Sequence, residues 1–532
     1  MNFQLRTLFV QRPLALALTL ACAGWLTACG GGGGEPAAQA SASEISADEA
    51  AALAAAAPDE ALAPVYQLTP ALIDEPAGDD ADGNEASAAA QPLQLSVGAR
   101  AAALSTIAAV PDDLQQSLQT LASSRSALAA GEASAMAAST TAVVYTPAQI
   151  RAAYGLSQLP AQSTANKGAY QGSGQTIYVV NAHHNPNAAN DLKVFSAKFG
   201  LPTCTTLSIP VNSALPLKAP ASGSGCSFAV VYAAKGATTT APKGALSGTV
   251  PAVNKSWVTE SALDIEWAHA IAPLARIILI EAQSASVPDM MAAVALANRM
   301  GPGIVSMSFG LGEFAAASMT YWGAPLGGTG MSYVAANGDW GSQVLWPAVD
   351  TRVLAVGGTR LAWTGTSRSE AAWTSTGGAT SKQVLAPTYQ AKLVKPGDSV
   401  SSTKRYRGSA DVAFNADPYS GQYVYVTPST ATGGTGWIAA GGTSIGAPQW
   451  AGLLAVGNAV RALSGKAPLG QVHSKLYASV ASAGTYASLF ADVTAGRNGS
   501  CGAMCSATSG YDLLTGWGSP KAVSLMSTFA GY

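Results

Sequence analysis

The sequence predicts an α/β fold: a parallel sheet covered by helices on both faces, reached only after a long low-complexity stalk. Three observations predict it. Apolar, β-branched runs such as Thr176-Ile177-Tyr178-Val179-Val180 and Arg276-Ile277-Ile278-Leu279-Ile280 lack polar alternation, so they read as strands buried on both faces. Helical stretches over 187–199 and 288–299 fall between such runs, the second with Pro288 suited to a first turn. Further strand-like runs at 303–308, 331–336 and 352–356 continue the alternation, which calls for crossover connections and hence a parallel sheet. One large α/β domain over 142–532 accounts for them, with no internal repeat.

The preceding sequence has a different texture. Residues 1–28 read as an export signal: Arg6 and Arg12 precede an apolar run, 14–26, that is short for a membrane span. Leu26-Thr27-Ala28-Cys29 resembles a bacterial lipobox, which implies lipidation at Cys29 and anchoring to the outer membrane or cell surface, with later release of the protein as a further outcome. Residues 29–141 are dominated by Ala, Ser, Asp, Glu and Gly, with almost no aromatic residues, and cannot bury a large core. They read as an Ala-rich stalk or reduced pro-segment, with helices over 48–57 and 112–130.

Net charge is −2, which says little about partners, and no basic stripe suggests nucleic acid; only 11% of residues are charged. Few carboxylates also means few ionisations to lose in acid. Of six cysteines, Cys22 and Cys29 belong to the leader. Proximity pairs Cys204 with Cys226 and Cys501 with Cys505, disulfides suited to an oxidising compartment.

The chemistry starts at Gly441-Gly442-Thr443-Ser444-Ile445-Gly446-Ala447-Pro448. A serine on a tight small-residue turn before a helix is exposed where backbone N–H groups face developing negative charge. Its base is not evident. The chain has four histidines, and neither a His-Gly-Thr nor an Asp-Ser/Thr-Gly segment precedes the serine. Carboxylates offer another partner. Glu260 and Asp264 are one helical turn apart, so they share a face, repel and can hold one proton between them.

These residues keep company with others. Asp339 lies in Ala335-Ala336-Asn337-Gly338-Asp339-Trp340-Gly341. Tyr145-Thr146-Pro147-Ala148-Gln149, Ser306-Met307-Ser308-Phe309-Gly310, the Val353 to Thr359 run and Asp411-Val412-Ala413-Phe414-Asn415-Ala416-Asp417-Pro418 complete a series. In this order they resemble the sedolisins, serine-carboxyl peptidases with a subtilisin-like fold, over roughly 146–520. The resemblance implies Ser444 as nucleophile, Glu260 as general base, Asp264 as its proton-sharing partner, and Asp339 as a protonated oxyanion donor. A carboxyl must be neutral to donate, so an acid optimum is expected. It also implies one Ca²⁺, held by the carboxylates of Asp492 and Asp512 and the carbonyls of Val493, Thr508 and Gly510. Oxygen donors of this kind suit that ion.

Three departures bear on function. Asn181 stands where relatives carry an acid bonded to the catalytic glutamate, and an amide adds no charge there. Phe309 replaces a tryptophan. Residues 30–141 lack the strands of the large folded propeptide that sedolisins carry. The expected protein is an exported, lipid-anchored, monomeric endopeptidase acting on polypeptides. Its rivals are a non-catalytic surface binding protein on the same fold and a subtilase with an unrecognised histidine.

Overall fold

Among the described residues ten strands form the central sheet, and the apolar runs picked out above lie at its middle. The computed structural model describes residues 52, 58, 60–69, 73–76, 92–96, 141–237, 240–394, 403–427 and 436–531. Its main elements are β1 (Thr176–Ala182), β2 (Ser227–Ala233), α1 (Lys255–Ile271), β3 (Arg276–Ala282), α2 (Val287–Met300), β4 (Ile304–Met307), β5 (Ser332–Ala336), β6 (Val353–Trp363) and α3 (Thr443–Leu463). The sheet runs β6-β5-β4-β1-β3-β2, every neighbouring pair parallel. An antiparallel strand, Arg368–Ala372, extends it beyond β6, and Thr205–Thr206 lies beyond β2.

Alternate residues of β1 explain the two layers. Ile177 and Val179 join the apolar cluster built with α1 and α3, whereas Tyr178 and Val180 join the one built with α2. A strand with helices on both sides has no polar face, hence the unbroken apolar run. Helix α3 is buried along nearly its whole length. It crosses α1 closely because Gly452 has no side chain: a Cβ there would sit 2.7 Å from the Ile271 Cβ.

The observed strands and helices match those expected to within two residues at most ends; β6 runs on to Trp363. Both expected disulfides, Cys204–Cys226 and Cys501–Cys505, are formed. The leader, Cys29 and, save for Ala52, the expected helices over 48–57 and 112–130 lie outside the described residues. Among the described residues no helix is long and apolar enough to cross a membrane.

One part of the expected stalk is ordered differently. Ala63–Pro64 pairs antiparallel with Phe309–Gly312, and Gln67–Leu68 pairs antiparallel with Trp437–Gly441. Leu93–Ser96 adds to Thr141–Tyr145. The stalk composition gave no sign of strands because their hydrogen-bond partners belong to the domain rather than to neighbouring sequence.

Beneath β6, Asp411 ties several elements together. Its carboxylate accepts from Arg407 Nη2 at 2.7 Å, Tyr477 Oη at 2.6 Å and the Ala355 N–H at 2.9 Å. Burial opposes its charge, but Arg407 and His473 reverse that and hold the carboxyl well below the usual range. Removing one partner of such a pair strands a buried charge. Asp411→Asn should therefore lower unfolding free energy by about 3–5 kcal/mol, read from chemical denaturation; a change within experimental error would show that the network contributes little.

Candidate active site

The site lies at the carboxyl ends of the parallel strands, where such sheets open a crevice. Ser308 follows β4, Asp339 follows β5, Asn181 is near the end of β1, and the start of α3 points into the same space. Asn254 caps α1, its side chain accepting from Ser256 N at 3.1 Å and Trp257 N at 3.4 Å. One turn later come Glu260 and, a turn beyond, Asp264, both fully buried.

Ser444 is the second residue of α3, so no turn of its own helix uses its N–H. Gly442, at φ 96°, makes the turn before it; a Cβ there would lie 2.5 Å from Asp339 Oδ2 and 2.8 Å from the Val65 carbonyl oxygen. Only glycine fits this backbone without strain. Pro448 sits within the helix four residues after Ser444. It has no N–H to give, so the Ser444 carbonyl is released from the helical ladder. Ser308 Oγ reaches that carbonyl at 3.1 Å.

Ser308 links the serine to the acids. Its hydroxyl makes a shorter bond, 2.6 Å, to Asp264 Oδ1, and its backbone carbonyl accepts from Ser444 Oγ at 3.1 Å. The other Asp264 oxygen accepts from Asn181 Nδ2 at 3.0 Å. Asn181 thus serves the aspartate and not the glutamate expected from the sequence. Its amide favours the charged form of Asp264, whereas an acid there would have shared a proton. Burial outweighs both donors and raises Asp264 to about 7.

Glu260 is raised well above the carboxylate range, by burial first and then by Asp264. Both its oxygens are buried without a hydrogen bond of good geometry. The Ser444 hydroxyl and the Val65 N–H nonetheless lie near enough to favour its ionised form, and Asp339 adds to the rise. Asp339 is pushed to about 8 by burial, against the donors of Thr443. Its Oδ1 accepts from Thr443 N at 2.8 Å and Thr443 Oγ1 at 2.9 Å, while Oδ2 has no partner. Buried carboxyl oxygens without partners, on Glu260 and on Asp339, are unusual in one cleft and point to chemistry.

Ser444, Glu260, Asp264 and Asp339 are thus gathered at one point. Ser308 and Thr443 belong to the same network and were visible in the sequence only as members of the motifs that hold them. None of the four histidines bonds to this group. His184 pairs with Glu281, His269 Nε2 with the Pro202 carbonyl, His473 with the Val353 carbonyl, and His183 stands by Trp257.

A backbone also enters the cleft. Ser444 N donates to the Val65 carbonyl at 2.9 Å. The Val65 N–H is shared between Ser308 O and Ser444 Oγ, each at 3.1 Å.

The second predicted cluster is a loop pinned by Cys501–Cys505. Asp492 accepts from Gly510 N at 3.0 Å and Ser509 Oγ at 3.2 Å, and Asp512 accepts from Thr508 N at 3.2 Å. Val493 is buried beneath. Among the described residues, no backbone N–H bonds the carbonyls of Val493, Thr508 or Gly510. Burial raises Asp512 to about 6 against several N–H donors. Two carboxylates beside uncommitted loop carbonyls form a donor set that fits a hard divalent cation.

No protein-family model matches the chain. It is 32% identical over 292 residues to kumamolisin of Bacillus sp. (strain MN-32), covering 50% of either chain. To sedolisin of Pseudomonas sp. (strain 101) it is 31% identical over 189 residues, 33% of this chain and 29% of that one. The chain thus spans half the length of kumamolisin and less of sedolisin. The solved structure of Pseudomonas sedolisin, a serine-carboxyl proteinase complexed with pseudo-iodotyrostatin, superposes with TM-score 0.53 at 22% identity, over 73% of this chain and 98% of that chain. This last likeness is one of fold: the subtilisin-like sheet and its helices.

The carboxyls give a testable stability profile. Asp191, Asp264, Glu281, Asp339, Asp417 and Asp512 all hold protons more tightly folded than unfolded. Between the unfolded values near 4 and the folded ones of about 6 to 8, the native state binds more protons, so stability falls as pH rises. The thermal midpoint should drop from about pH 5 to about pH 8, and less steeply in Asp339→Asn. A midpoint that climbs over this range would contradict the assignment.

Proposed function

For a chain that belongs to the sedolisin family, we propose a serine-carboxyl endopeptidase that hydrolyses peptide bonds of polypeptides. The observation that carries this reading is that buried Glu260 lies beside the Ser444 hydroxyl, Asp264 is joined to the serine through Ser308, and the Asp339 oxygen without a partner lies by the turn that presents the serine. Ser444 Oγ attacks the substrate carbonyl and its proton passes to Glu260. Asp264, held by Ser308 and Asn181, shares the proton load of Glu260. The oxyanion is met by the Ser444 N–H and by Asp339, which donates from Oδ2 while protonated. Glu260 then returns the proton to the leaving amine.

The working pH follows from these roles. Glu260 is a base only once the dyad has lost a proton, which sets the acid limb. Asp339 donates only below its own ionisation, at about 8, which sets the alkaline limb. With Asp264 raised to about 7 and Asp339 to about 8, the window between the two limbs lies close to neutrality, on the neutral side of the acid optimum expected from the resemblance. The Asp492 loop, with Asp512 and the carbonyls of Val493, Thr508 and Gly510, would hold one Ca²⁺, whose charge would neutralise the carboxylates and fix the loop. The leader at 1–28 and Cys29 support export and lipid anchoring, with the Ala-rich sequence after Cys29 leading to the strands at 63–68 that pair with the domain, and the peptidase acting as a monomer.

Hydrolysis of a mixed peptide library should fall roughly 10⁴-fold or more in Ser444→Ala and similarly in Glu260→Gln. Asp339→Ala should lose about 10²–10³-fold in kcat. Asp339→Asn, whose amide still donates, should retain more activity and lack the alkaline limb. Undiminished activity in Ser444→Ala would end the proposal. For the cation, excess Ca²⁺ should raise unfolding free energy by about 2.7 kcal/mol at a hundredfold excess over Kd. Asp512→Asn should abolish the gain; a wild-type midpoint indifferent to Ca²⁺ and to chelator would exclude the site.

A further inference from the structure

We infer that Cys204, Cys226 and His269 form a second metal site, closed while the two sulfurs are joined and opened by their reduction, and that its ion is Zn²⁺. Its donors are soft, two thiolates and an imidazole, unlike the oxygen donors of the Asp492 loop. Ser444 takes no part in it, so it stands apart from the peptidase reading.

Regular structure holds the three residues together. Cys204 and Cys226 each stand immediately before a strand, Thr205–Thr206 and β2, and these strands run parallel with Thr205 opposite Ser227. Thr205 N donates to the Cys226 carbonyl at 3.0 Å. His269 comes from the last turn of α1. The sulfurs are therefore neighbours for a reason other than the bond between them. Thr205–Thr206 is short, exposed and at the edge of the sheet, so a small shift there leaves the core undisturbed.

The His269 ring is set for ligation. It is fully buried, and Nε2 lies 2.9 Å from the Pro202 carbonyl oxygen. A carbonyl only accepts, so Nε2 carries the proton and Nδ1 the lone pair. Nδ1 faces both sulfurs, 3.7 Å from Cys204 Sγ and 3.6 Å from Cys226 Sγ. Joined sulfurs have no proton to give, so this buried lone pair receives no hydrogen bond from them. A ring whose other nitrogen donates to a backbone carbonyl is the usual form of a metal-bound histidine.

The distances fit the ion. Tetrahedral Zn²⁺, with Zn–S of about 2.3 Å and Zn–N of about 2.0–2.1 Å, sets nitrogen and sulfur ligands about 3.6 Å apart and two sulfurs about 3.8 Å apart. Both nitrogen–sulfur separations already meet the first figure, and breaking the S–S bond lets the sulfurs part to the second. The three ligand atoms all lie within 4.8 Å of one another. A cavity of about 270 Å³, lined by Thr205, Ser224, Gly225 and Cys226 among others, gives reductant and ion an approach and a water the fourth position. His269 lies 65 and 43 positions from the two cysteines, so no motif spacing marks the set in the sequence.

The opening step is exchange with a dithiol. Its thiolate attacks one sulfur of the pair, and its second thiol then displaces that sulfur. The dithiol leaves as a cyclic disulfide, having given two electrons and two protons. Zn²⁺ next displaces both thiol protons to solvent and binds two thiolates and Nδ1. A reducing compartment opens the site and an oxidising one closes it.

The full-length chain, reduced with a dithiol that is then removed without air, would be given Co²⁺ and afterwards Zn²⁺. The expected result is a thiolate-to-cobalt charge-transfer band with the strong visible bands of four-coordinate Co²⁺, lost on adding Zn²⁺ and not formed by the oxidised chain. Alkylation of the reduced wild type, mapped by mass spectrometry, should find Cys204 and Cys226 protected by Zn²⁺ and Cys501 and Cys505 not. His269→Gln should weaken Zn²⁺ binding by at least the roughly 10–100-fold that loss of an outer partner costs. Equal protection of Cys501 and Cys505, no protection of Cys204 and Cys226, or a His269→Gln chain that binds as tightly as the wild type would overturn the inference. Reduction that unfolds the domain would overturn it too, because the ligands would then be held by the S–S bond alone.

Discussion

Removal of Glu260, Asp264 and Asp339 from water is the condition on which the rest of the site depends. A carboxyl in water near neutral pH is ionised: it cannot donate a hydrogen bond, and as a base it is too weak to activate a hydroxyl. Burial changes both properties at once. It keeps a proton on Asp339, which can then face an oxyanion. It also raises the proton affinity of the Glu260–Asp264 pair toward that required of a general base. One physical effect supplies an acid donor and a carboxylate base in a single cleft, so a histidine is not needed.

The scaffold maintains that dryness and holds the serine against the acids, itself fully buried beneath Val65 and not exposed as its turn suggested. α3 is buried nearly throughout and lies close against α1 at Gly452, so the acids on α1 and the serine on α3 are fixed relative to each other. Pro448 and Ser308 work as a pair: the proline withdraws a donor from the Ser444 carbonyl, and Ser308 supplies one while binding Asp264. Thr443 holds one oxygen of Asp339, leaving the other turned toward the substrate position. Each contact uses a group that regular secondary structure leaves unsatisfied.

Much of this was legible in the sequence because the signals are local. Buried parallel strands announce themselves by unbroken β-branched runs, as at 176–180 and 276–280, and the one-turn spacing of Glu260 and Asp264 fixes a shared face. Cys204–Cys226 and Cys501–Cys505 followed from proximity. What was not legible depends on distant geometry. Asn181 ends on Asp264 and not Glu260 because the choice turns on side-chain directions where β1 meets α1. Ser308 reads as one more small residue until the Pro448 gap is seen. The strands at 63–64 and 67–68 are hidden because their partners are some 240 to 370 positions away, as with Pro64 and Phe309 or Gln67 and Gly441, and their own composition is that of a stalk.

The segment over Ser444 also forms part of the wall that keeps water from the acids. Occupancy of the cleft and protonation of the carboxyls are therefore linked quantities. If a chain in the cleft raises the proton affinity of Glu260 and Asp339, then protons on those groups must, by the same coupling free energy, tighten the hold on the chain. Any extended peptide that fills the cleft perturbs the titration in the same direction. The free enzyme and its complexes are thus different acids, and acidity acts on affinity as well as on the chemical step.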